Sequence, residues 1–183
     1  MATIHVLDET TINKIAAGEV VERPASVVKE LIENSIDAGA TSIEVEIGEG
    51  GSAYMRITDN GKGMTEEDAR LAVLRHATSK IQNVEDLFDI ASLGFRGEAL
   101  ASIASVSHFI LTTRTVDQEL GTRILIDGGT FTDCIPYGAA PGTTIEVKEL
   151  FFNTPARRKF LKTERTESSK IQDIVGKLAL SNP

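Results

Sequence analysis

Two elements of secondary structure follow each other in residues 24–63, PASVVKELIENSIDAGATSIEVEIGEGGSAYMRITDNGKG. The first part predicts a helix from Pro24 to about Asp37, because proline suits a first helical turn and a glycine follows the end. Spacings of four and seven residues place Glu30, Asn34 and Asp37 on one face of that helix. Two carboxylates and an amide on one face can hold a metal ion, activate a water and contact a nucleotide.

The second part of the stretch predicts a β-hairpin that ends on an acidic turn. Apolar and acidic residues alternate over Ser42–Gly48, a glycine-rich turn follows, and Ala53–Thr58 returns as a second strand. Asp59 then precedes Gly61 and Gly63. A carboxylate there could accept a hydrogen bond from an exocyclic amine such as that of adenine, and the glycines would let the backbone approach a flat base. An ordinary Asp-Asn-Gly turn is the alternative interpretation.

The remaining pattern predicts an α+β fold, with one mixed, mostly antiparallel sheet covered by helices. We expect helices near 65–76, 97–104, 154–162 and 167–180, and strands near 107–115, 122–127, 131–135 and 143–150. We interpret residues 1–20, in which Gly18 interrupts any helix, as an N-terminal arm that precedes one domain over residues 21–183. Residues 76–97 predict a long loop, and such loops in compact domains are usually functional lids.

Composition limits the class of protein. The 183 residues are 41% hydrophobic and 25% charged, which suits one globular domain, and the net charge of −8 argues against a large nucleic-acid surface. Cys134 is the single cysteine, so no disulfide framework or cysteine metal site is expected. No signal peptide or membrane-spanning apolar run is found, and we expect a soluble intracellular protein, cytosolic or nuclear, without membrane contact. Five clustered basic residues are interpreted as a solvated helix face: Arg157, Arg158, Lys159, Lys162 and Arg165.

The common nucleotide motifs Gly-x-x-x-x-Gly-Lys-Ser/Thr and Gly-x-Gly-x-x-Gly are absent, and the three histidines are too scattered for a zinc site or a triad. Glu30 could deprotonate a water for attack on a terminal phosphate, and Asn34 could give its amide oxygen to Mg²⁺. Each also has a plain interpretation, as an exposed helix glutamate and as an amide bonded to the backbone. Asp37 is interpreted as bracing the end of the helix.

Two further segments carry glycines at places where a nucleotide could bind. Gly94-Phe95-Arg96-Gly97-Glu98-Ala99-Leu100 leads from a glycine-rich loop into a helix, which aims free N–H groups at an anion. Arg96 could add positive charge there, or it could be solvated or held in a salt bridge. Gly142-Thr143-Thr144 opens a strand and is a weaker signal, since it could be only a turn.

Taken in order, four motifs resemble those of the superfamily of ATPases that includes gyrase, heat-shock chaperones, histidine kinases and MutL. They are Glu30-x-x-x-Asn34-x-x-Asp37-Ala38-Gly39, Asp59-x-Gly61-x-Gly63, Gly94-x-x-Gly97-Glu98-Ala99-Leu100 and Gly142-Thr143. Four segments narrow the resemblance to the bacterial MutL family of DNA mismatch repair proteins: residues 13–21, Arg23-Pro24, Gly94–Leu100 and 153–157. The resemblance covers essentially the whole chain.

The resemblance implies a role for each matching residue. Glu30 matches the general base, Asn34 the Mg²⁺ ligand and Asp59 the adenine contact. The other matches are nucleotide-binding positions: Ala38, Gly61, Gly63 and Met64 beside the base, Thr78, Ser79 and Lys80 in the lid, Gly94, Phe95, Arg96, Gly97, Glu98, Ala99 and Leu100 in the phosphate loop, and Thr143 near the adenine-binding aspartate.

The resemblance also implies the Bergerat α/β sandwich as the fold, and ATP and Mg²⁺ as cofactors. Expected partners are a second copy through ATP-dependent dimerisation in the full-length protein, mismatch-recognition and downstream repair proteins, and DNA through the complete protein. The expected location is the bacterial cytoplasm, in association with the nucleoid. Family members continue into a second domain that supplies a lysine to the γ-phosphate, and then into a dimerising C-terminal domain. We therefore expect an isolated ATPase subdomain with weak or absent turnover.

Two functions from different classes are consistent with these residues. The first is ATP binding with slow hydrolysis, which orders the lid and drives dimerisation in mismatch repair. The alternative is an ATP-responsive interaction module with negligible turnover. A gyrase-type topoisomerase or a sensor kinase is a third possibility, and the MutL-like segments Gly94–Leu100 and Asn153–Arg157 argue against it.

Overall fold

The computed structural model describes residues 8–74 and 98–183, which contain six α-helices, one short 3-10 helix (Glu49–Gly51) and six strands. The helices are α1 (Glu9–Val20), α2 (Pro24–Asp37), α3 (Glu66–Ala72), α4 (Ala99–Ser105), α5 (Pro155–Phe160) and α6 (Glu164–Ser181). The strands are β1 (Ile43–Gly48), β2 (Tyr54–Asp59), β3 (His108–Arg114), β4 (Gly121–Asp127), β5 (Thr130–Tyr137) and β6 (Gly142–Lys148). Residues 1–7 of the predicted arm and the predicted lid at 76–97 lie outside the described residues.

The strands form one six-stranded sheet in the order β1-β2-β6-β3-β4-β5. Every neighbouring pair among these strands is antiparallel, so the described part of the sheet is not mixed. Each strand and helix predicted within the described residues is present, with small shifts of its ends. The α+β class predicted from the sequence is therefore confirmed. No helix among the described residues is long and apolar enough to cross a membrane.

Period-two alternation gives the sheet one face for the core. In β2, Met55 and Ile57 are buried, and their partners on β6, Val147 and Ile145, are buried with them. The same alternation continues through Phe109 and its neighbours on β3 and β4. Apolar side chains of this size each contribute about 1.5–3 kcal/mol when fully buried, so this face holds the helices on the sheet. We call it the helix-facing side.

Helix α2 begins and ends where its sequence predicts. Pro24 occupies the first turn, where its missing N–H costs no hydrogen bond. Val27, Val28 and Leu31 are buried and form the apolar stripe of the helix. Gly39 stops the helix with a φ of +75°, a left-handed conformation that favours glycine. The packing thereby fixes the position of α2 on the sheet, and with it the position of each polar residue along the helix axis.

The prediction that Gly18 interrupts any helix is wrong. Gly18 lies inside α1, which packs against α4 and buries Ala17 completely. Glycine costs about 1 kcal/mol in a helix interior, but here its missing side chain makes room for another group. A Cβ on Gly18 would overlap the guanidinium of Arg157, which also donates a hydrogen bond to the carbonyl oxygen of Val21 at 3.3 Å. Tertiary packing therefore overrides the local propensity.

This contact also corrects the interpretation of the basic cluster as one solvated face. Arg157 is half-buried against α1, whereas the other four basic residues are exposed: Arg158, Lys159, Lys162 and Arg165. Helix α3 is shorter than predicted, since it ends at Ala72 rather than near His76. Its predicted start is confirmed, because the Thr65 hydroxyl accepts a hydrogen bond from the backbone N–H of Asp68 at 3.2 Å.

Candidate nucleotide site

A row of polar side chains crosses one end of the otherwise apolar helix-facing side of the sheet. The strand register aligns its four members, which we call the polar row: Asp59, Thr143, Thr113 and Thr122. The next row along the strands is apolar and buried: Ile57, Ile145, Leu111 and Ile124. Polar groups on such a face must be hydrogen-bonded to be tolerated, and the hydrogen bonds of Asp59, Thr113 and Thr143 connect this row to neighbouring segments.

The carboxylate of Asp59 is held by three donors. The Ser35 hydroxyl donates to Oδ2 at 2.8 Å, and the backbone N–H groups of Gly61 and Thr143 donate to Oδ1 at 2.9 and 3.2 Å. The contact from Gly61 is the local Asx turn that the sequence allows. The other two come from α2 and β6, and they orient the carboxylate in a way that a simple turn does not.

Glycine permits two close backbone approaches in the loop after Asp59. A Cβ at Gly61 would lie 2.9 Å from the Ala38 Cβ and 3.0 Å from its carbonyl oxygen, so α2 meets the loop at contact distance. Gly63 has a φ of +67°, and a Cβ there would overlap the carbonyl oxygen of Arg114. The loop is thus clamped between the end of α2 and β3.

Thr113 joins this loop to the start of β6. Its buried hydroxyl lies 2.9 Å from the backbone N of Met64, 3.0 Å from the carbonyl oxygen of Gly142 and 3.0 Å from the hydroxyl oxygen of Thr143. Thr143 in turn reaches Asp59 through its backbone N–H. Four separate chain segments therefore converge on one end of the sheet.

The three polar residues that predicted the site lie on α2. Glu30, Asn34 and Asp37 are all half-buried. Asn34 immediately precedes Ser35, which contacts Asp59. Glu30 lies five residues before Ser35, about 7.5 Å away along the helix axis at 1.5 Å per residue. The helix therefore presents Glu30 and Asn34 on the N-terminal side of the residue that holds Asp59.

Part of the predicted phosphate loop is described. Glu98 caps α4, and Ala99 and Leu100 form its first turn, all half-buried. The remaining predicted loop and lid residues lie outside the described residues: Thr78, Ser79, Lys80, Gly94, Phe95, Arg96 and Gly97. Their assignments stay predictions.

Ser35 and Thr113 join these contacts around Asp59 and Thr143, and the sequence did not single them out. Ser35 is buried with 3% of its surface exposed, and Thr113 is completely buried. Nothing local distinguishes Ser35 from other helix serines, and its role depends on a strand 24 residues later. Thr113 carries a weak signal, since it lies in β3 at a position where alternation with Phe109 and Leu111 predicts a buried side chain.

The donor set decides what kind of metal could bind. Within residues 8–74 and 98–183, no group of three histidine, cysteine, aspartate or glutamate side chains could hold a metal ion by itself. Asn34, one residue before Ser35 on α2, carries a neutral amide oxygen as a possible ligand. This arrangement fits Mg²⁺, which commonly takes few protein oxygens and fills its shell with water and phosphate oxygens.

Comparison with known proteins identifies the class. The sequence profile described as "Histidine kinase-, DNA gyrase B-, and HSP90-like ATPase" matches residues 22–127. The chain belongs to this family of ATPases, and the Bergerat-type sandwich predicted from the sequence is confirmed. The site residues on α2 and β2 fall inside the matched range.

Within that family, the chain is similar to the N-terminal ATPase domain of MutL, as the sequence motifs predict. It is 60% identical over 183 residues to the DNA mismatch repair protein MutL of Caldanaerobacter subterraneus subsp. tengcongensis, covering 100% of this chain and 31% of that protein. It is 58% identical over 183 residues to MutL of Desulforamulus reducens, covering 100% of this chain and 29% of that protein.

A solved structure, the Aquifex aeolicus MutL ATPase domain complexed with ADP, superimposes with a TM-score of 0.70. It is 39% identical in sequence, and the match covers 90% of this chain and 57% of that one. The chain spans about a third or less of the length of the curated relatives it matches.

Proposed function

We propose that this domain binds ATP with Mg²⁺ and hydrolyses it slowly, and that nucleotide binding orders a lid and drives dimerisation of the domain in DNA mismatch repair. The observation that carries the proposal is the Asp59 carboxylate, which three donors fix at the end of the sheet beside Thr143 and the Gly61–Met64 loop. An oriented carboxylate accepts a hydrogen bond from an amine, and the exocyclic amine of adenine is such a donor.

The ADP bound to the Aquifex aeolicus MutL ATPase domain supports an adenine nucleotide as the ligand. In this chain, Asp59 accepts from the adenine amine, while Ala38, Gly61, Gly63, Met64 and Thr143 surround the base. The triphosphate extends along α2 towards Asn34 and Glu30, and residues 94–100 receive the phosphates at the start of α4. Thr78, Ser79 and Lys80 belong to the lid that covers the nucleotide.

Hydrolysis requires a base for the attacking water. The Glu30 carboxylate takes a proton from a water molecule as its oxygen attacks the γ-phosphorus, and the bond to the β-phosphate oxygen breaks. The products are ADP and inorganic phosphate. Asn34 places Mg²⁺, which would neutralise charge on the phosphate oxygens.

The wider assignments rest on the resemblance of the sequence to MutL. Residues 1–20 are assigned as an N-terminal arm whose helix α1 packs against α4, and residues 21–183 as the ATP-binding domain. The resemblance also implies a second domain that supplies a lysine to the γ-phosphate and a C-terminal domain that dimerises. Mismatch-recognition proteins, downstream repair proteins and DNA are the partners of the complete protein, which acts in the bacterial cytoplasm in association with the nucleoid.

The binding half of the proposal is tested by calorimetric titration of the domain with Mg²⁺-ATP. Asp59→Asn exchanges one carboxylate oxygen for an NH₂ donor, so we expect the dissociation constant to rise at least about tenfold. Asp127→Asn is the matched control, since Asp127 also ends a strand before glycine but its side chain is 61% exposed. Equal affinity of wild type and Asp59→Asn would refute the adenine assignment.

The hydrolytic half is tested by phosphate release in a protein that contains the second domain. We expect Glu30→Ala to keep Mg²⁺-ATP binding and to lower turnover by about a hundredfold or more, since general bases contribute 10²–10⁴. Glu44→Ala, on an exposed residue of β1, is the control. Unchanged turnover in Glu30→Ala would remove that residue from its role. Binding without any release in the wild type would favour the ATP-responsive interaction module.

A further inference from the structure

The polar row contains one hydroxyl whose hydrogen-bond directions can be assigned from its partners. Thr113 Oγ1 contacts three atoms at 2.9–3.0 Å: the backbone N of Met64, the carbonyl oxygen of Gly142 and Oγ1 of Thr143. A hydroxyl has one hydrogen to donate and two lone pairs that accept. The three contacts therefore use its one hydrogen and both of its lone pairs, and Thr113 is completely buried from water.

Two of the three directions are fixed by chemistry. The backbone N–H of Met64 can only donate, so Thr113 accepts from it. The carbonyl oxygen of Gly142 can only accept, so the single hydrogen of Thr113 points to it. The contact with Thr143 then forms a hydrogen bond only if the Thr143 hydroxyl is the donor.

This assignment determines what Thr143 can offer a ligand. Its hydroxyl hydrogen is committed to Thr113, and its backbone N–H is committed to Asp59 Oδ1 at 3.2 Å. Thr143 Oγ1 therefore has only its lone pairs left, and it can only accept a hydrogen bond from a ligand. Asp59, its neighbour across the β2–β6 register, is a carboxylate and also accepts.

We infer that Thr113 holds the hydroxyl of Thr143 as a hydrogen-bond acceptor, and that it thereby sets a preference for a 6-amino purine over a 6-oxo purine. The inference rests on the proposed binding of the base beside Asp59 and Thr143. An amine at position 6 donates to two neighbouring acceptors, whereas a carbonyl oxygen there places a third acceptor against them. Thr113 is a positioning residue in this scheme, because it acts on the ligand through Thr143.

The test compares ATP with inosine triphosphate, which carries a carbonyl group at position 6 and an N–H in place of the lone pair at position 1, a second difference that is the same in every variant. Dissociation constants for both are measured by calorimetry for the wild type, Thr113→Val, Thr113→Ser and Thr112→Val. The readout is the ratio of the two constants, since a general loss of stability or pocket shape weakens both nucleotides together.

In Thr113→Val, the Thr143 hydroxyl loses its acceptor and its hydrogen becomes available to a carbonyl oxygen. We expect inosine triphosphate to gain relative to ATP, so that the preference falls by about fivefold, the equivalent of one hydrogen bond. Thr113→Ser keeps the hydroxyl and should keep the wild-type ratio. Thr112→Val makes the same chemical change on the opposite face of β3, where Thr112 accepts from Arg123 at 3.0 Å, and should also keep the ratio.

Thr143→Val provides an independent measurement if Thr113→Val does not fold. It removes the acceptor itself, so ATP binding should weaken while inosine triphosphate binding stays nearly unchanged. Stronger weakening of inosine triphosphate than of ATP would show that Thr143 donates to the base, and would overturn the inference. An unchanged ratio in a folded Thr113→Val would also overturn it.

These outcomes separate the inference from the proposed function. Three results together would refute only the role of Thr113: the wild type binds ATP, Asp59→Asn weakens that binding, and the ratio of dissociation constants in Thr113→Val stays at the wild-type value. If the wild type binds neither nucleotide, or Asp59→Asn binds ATP as the wild type does, the proposed adenine site fails and the inference fails with it.

Discussion

Two turns of this domain look alike in sequence and differ completely in structure. One follows β2 and reads Asp59-Asn60-Gly61, and the other follows β4 and reads Asp127-Gly128-Gly129. In both, a strand ends on aspartate and glycine follows. The Asp59 carboxylate is half-buried and receives three hydrogen bonds, whereas the Asp127 side chain is 61% exposed and contacts His108 at 2.5 Å.

The difference comes from the side of the sheet on which each aspartate lies. Asp59 follows Ile57 by two residues, so it shares the helix-facing side and meets α2. Asp127 follows the buried Ile126 by one residue, so it lies on the opposite side. The acid of the first turn therefore meets a helix that supplies a donor, whereas the acid of the second is largely exposed to water.

The largest expected effect that tests this comparison is on stability, at a glycine that follows each of the two aspartates. Gly63→Ala places a side chain at a φ of +67° and into the carbonyl oxygen of Arg114. We expect the free energy of unfolding to fall by about 3 kcal/mol or more, from backbone strain and overpacking together. Urea denaturation monitored by circular dichroism measures it.

Gly128→Ala is the matched variant in the β4–β5 turn. Its φ is +55°, and the nearest atoms to a Cβ are side-chain atoms of Asn153 and Phe152 at 3.1 Å. The left-handed conformation alone should cost about 1–2 kcal/mol. Equal losses in the two variants would show that the approach of β3 does not constrain the first turn more than the second.

Much of this domain could be predicted because its patterns are local. Helix α2 has a proline at its start, a glycine at its end and an apolar stripe between them, so its bounds and its polar face follow from the sequence. The β1–β2 hairpin alternates clearly, and the parity of Ile57 and Asp59 places that aspartate on the covered side.

The errors and omissions depend on contacts between distant segments. Gly18 accommodates the guanidinium of Arg157, 139 positions away in the chain, and no local propensity predicts a helix that continues through it. Thr113 acts on Thr143 across neighbouring strands, which requires the strand order. For Asp127, the preceding Ile124, Leu125 and Ile126 are all apolar, so alternation cannot decide its side.

The second prediction removes the donor that distinguishes Asp59 from Asp127. Ser35→Ala deletes the hydroxyl that donates to Asp59 Oδ2 at 2.8 Å, and Ser35 is buried. Hydrogen bonds to charged groups contribute about 1.5–3 kcal/mol, so we expect a loss of about 2 kcal/mol in the free energy of unfolding. ATP affinity should fall too, because the carboxylate is less well oriented.

Ser102→Ala is the control for that variant. Ser102 is completely buried in α4, and its hydroxyl has no hydrogen-bond partner within the described part of the chain. Alanine has the better helix propensity and removes an unsatisfied polar atom, so stability should stay the same or rise. If Ser102→Ala is as destabilising as Ser35→Ala, the contact with Asp59 does not account for the loss.

The smallest expected effect is at Asp127, and it is the one that would break the comparison if it proved large. The pair between Asp127 and His108 is solvent-exposed, with 61% and 43% of the two side chains accessible. When the imidazole is protonated this contact is an exposed ion pair, and such pairs contribute about 0.2–1 kcal/mol and are screened by salt, so Asp127→Asn should lower stability by no more than about 0.5 kcal/mol at 0.15 M salt. Asparagine is the appropriate replacement because it leaves the stacking of His108 on Phe152, with ring centroids 4.1 Å apart, in place.

Repeating the denaturation at 1 M salt should abolish even the small difference in stability between Asp127→Asn and the wild type. A loss of about 2 kcal/mol that survives high salt would mean that Asp127 is held as firmly as Asp59, and that the side of the sheet is not what separates the two turns.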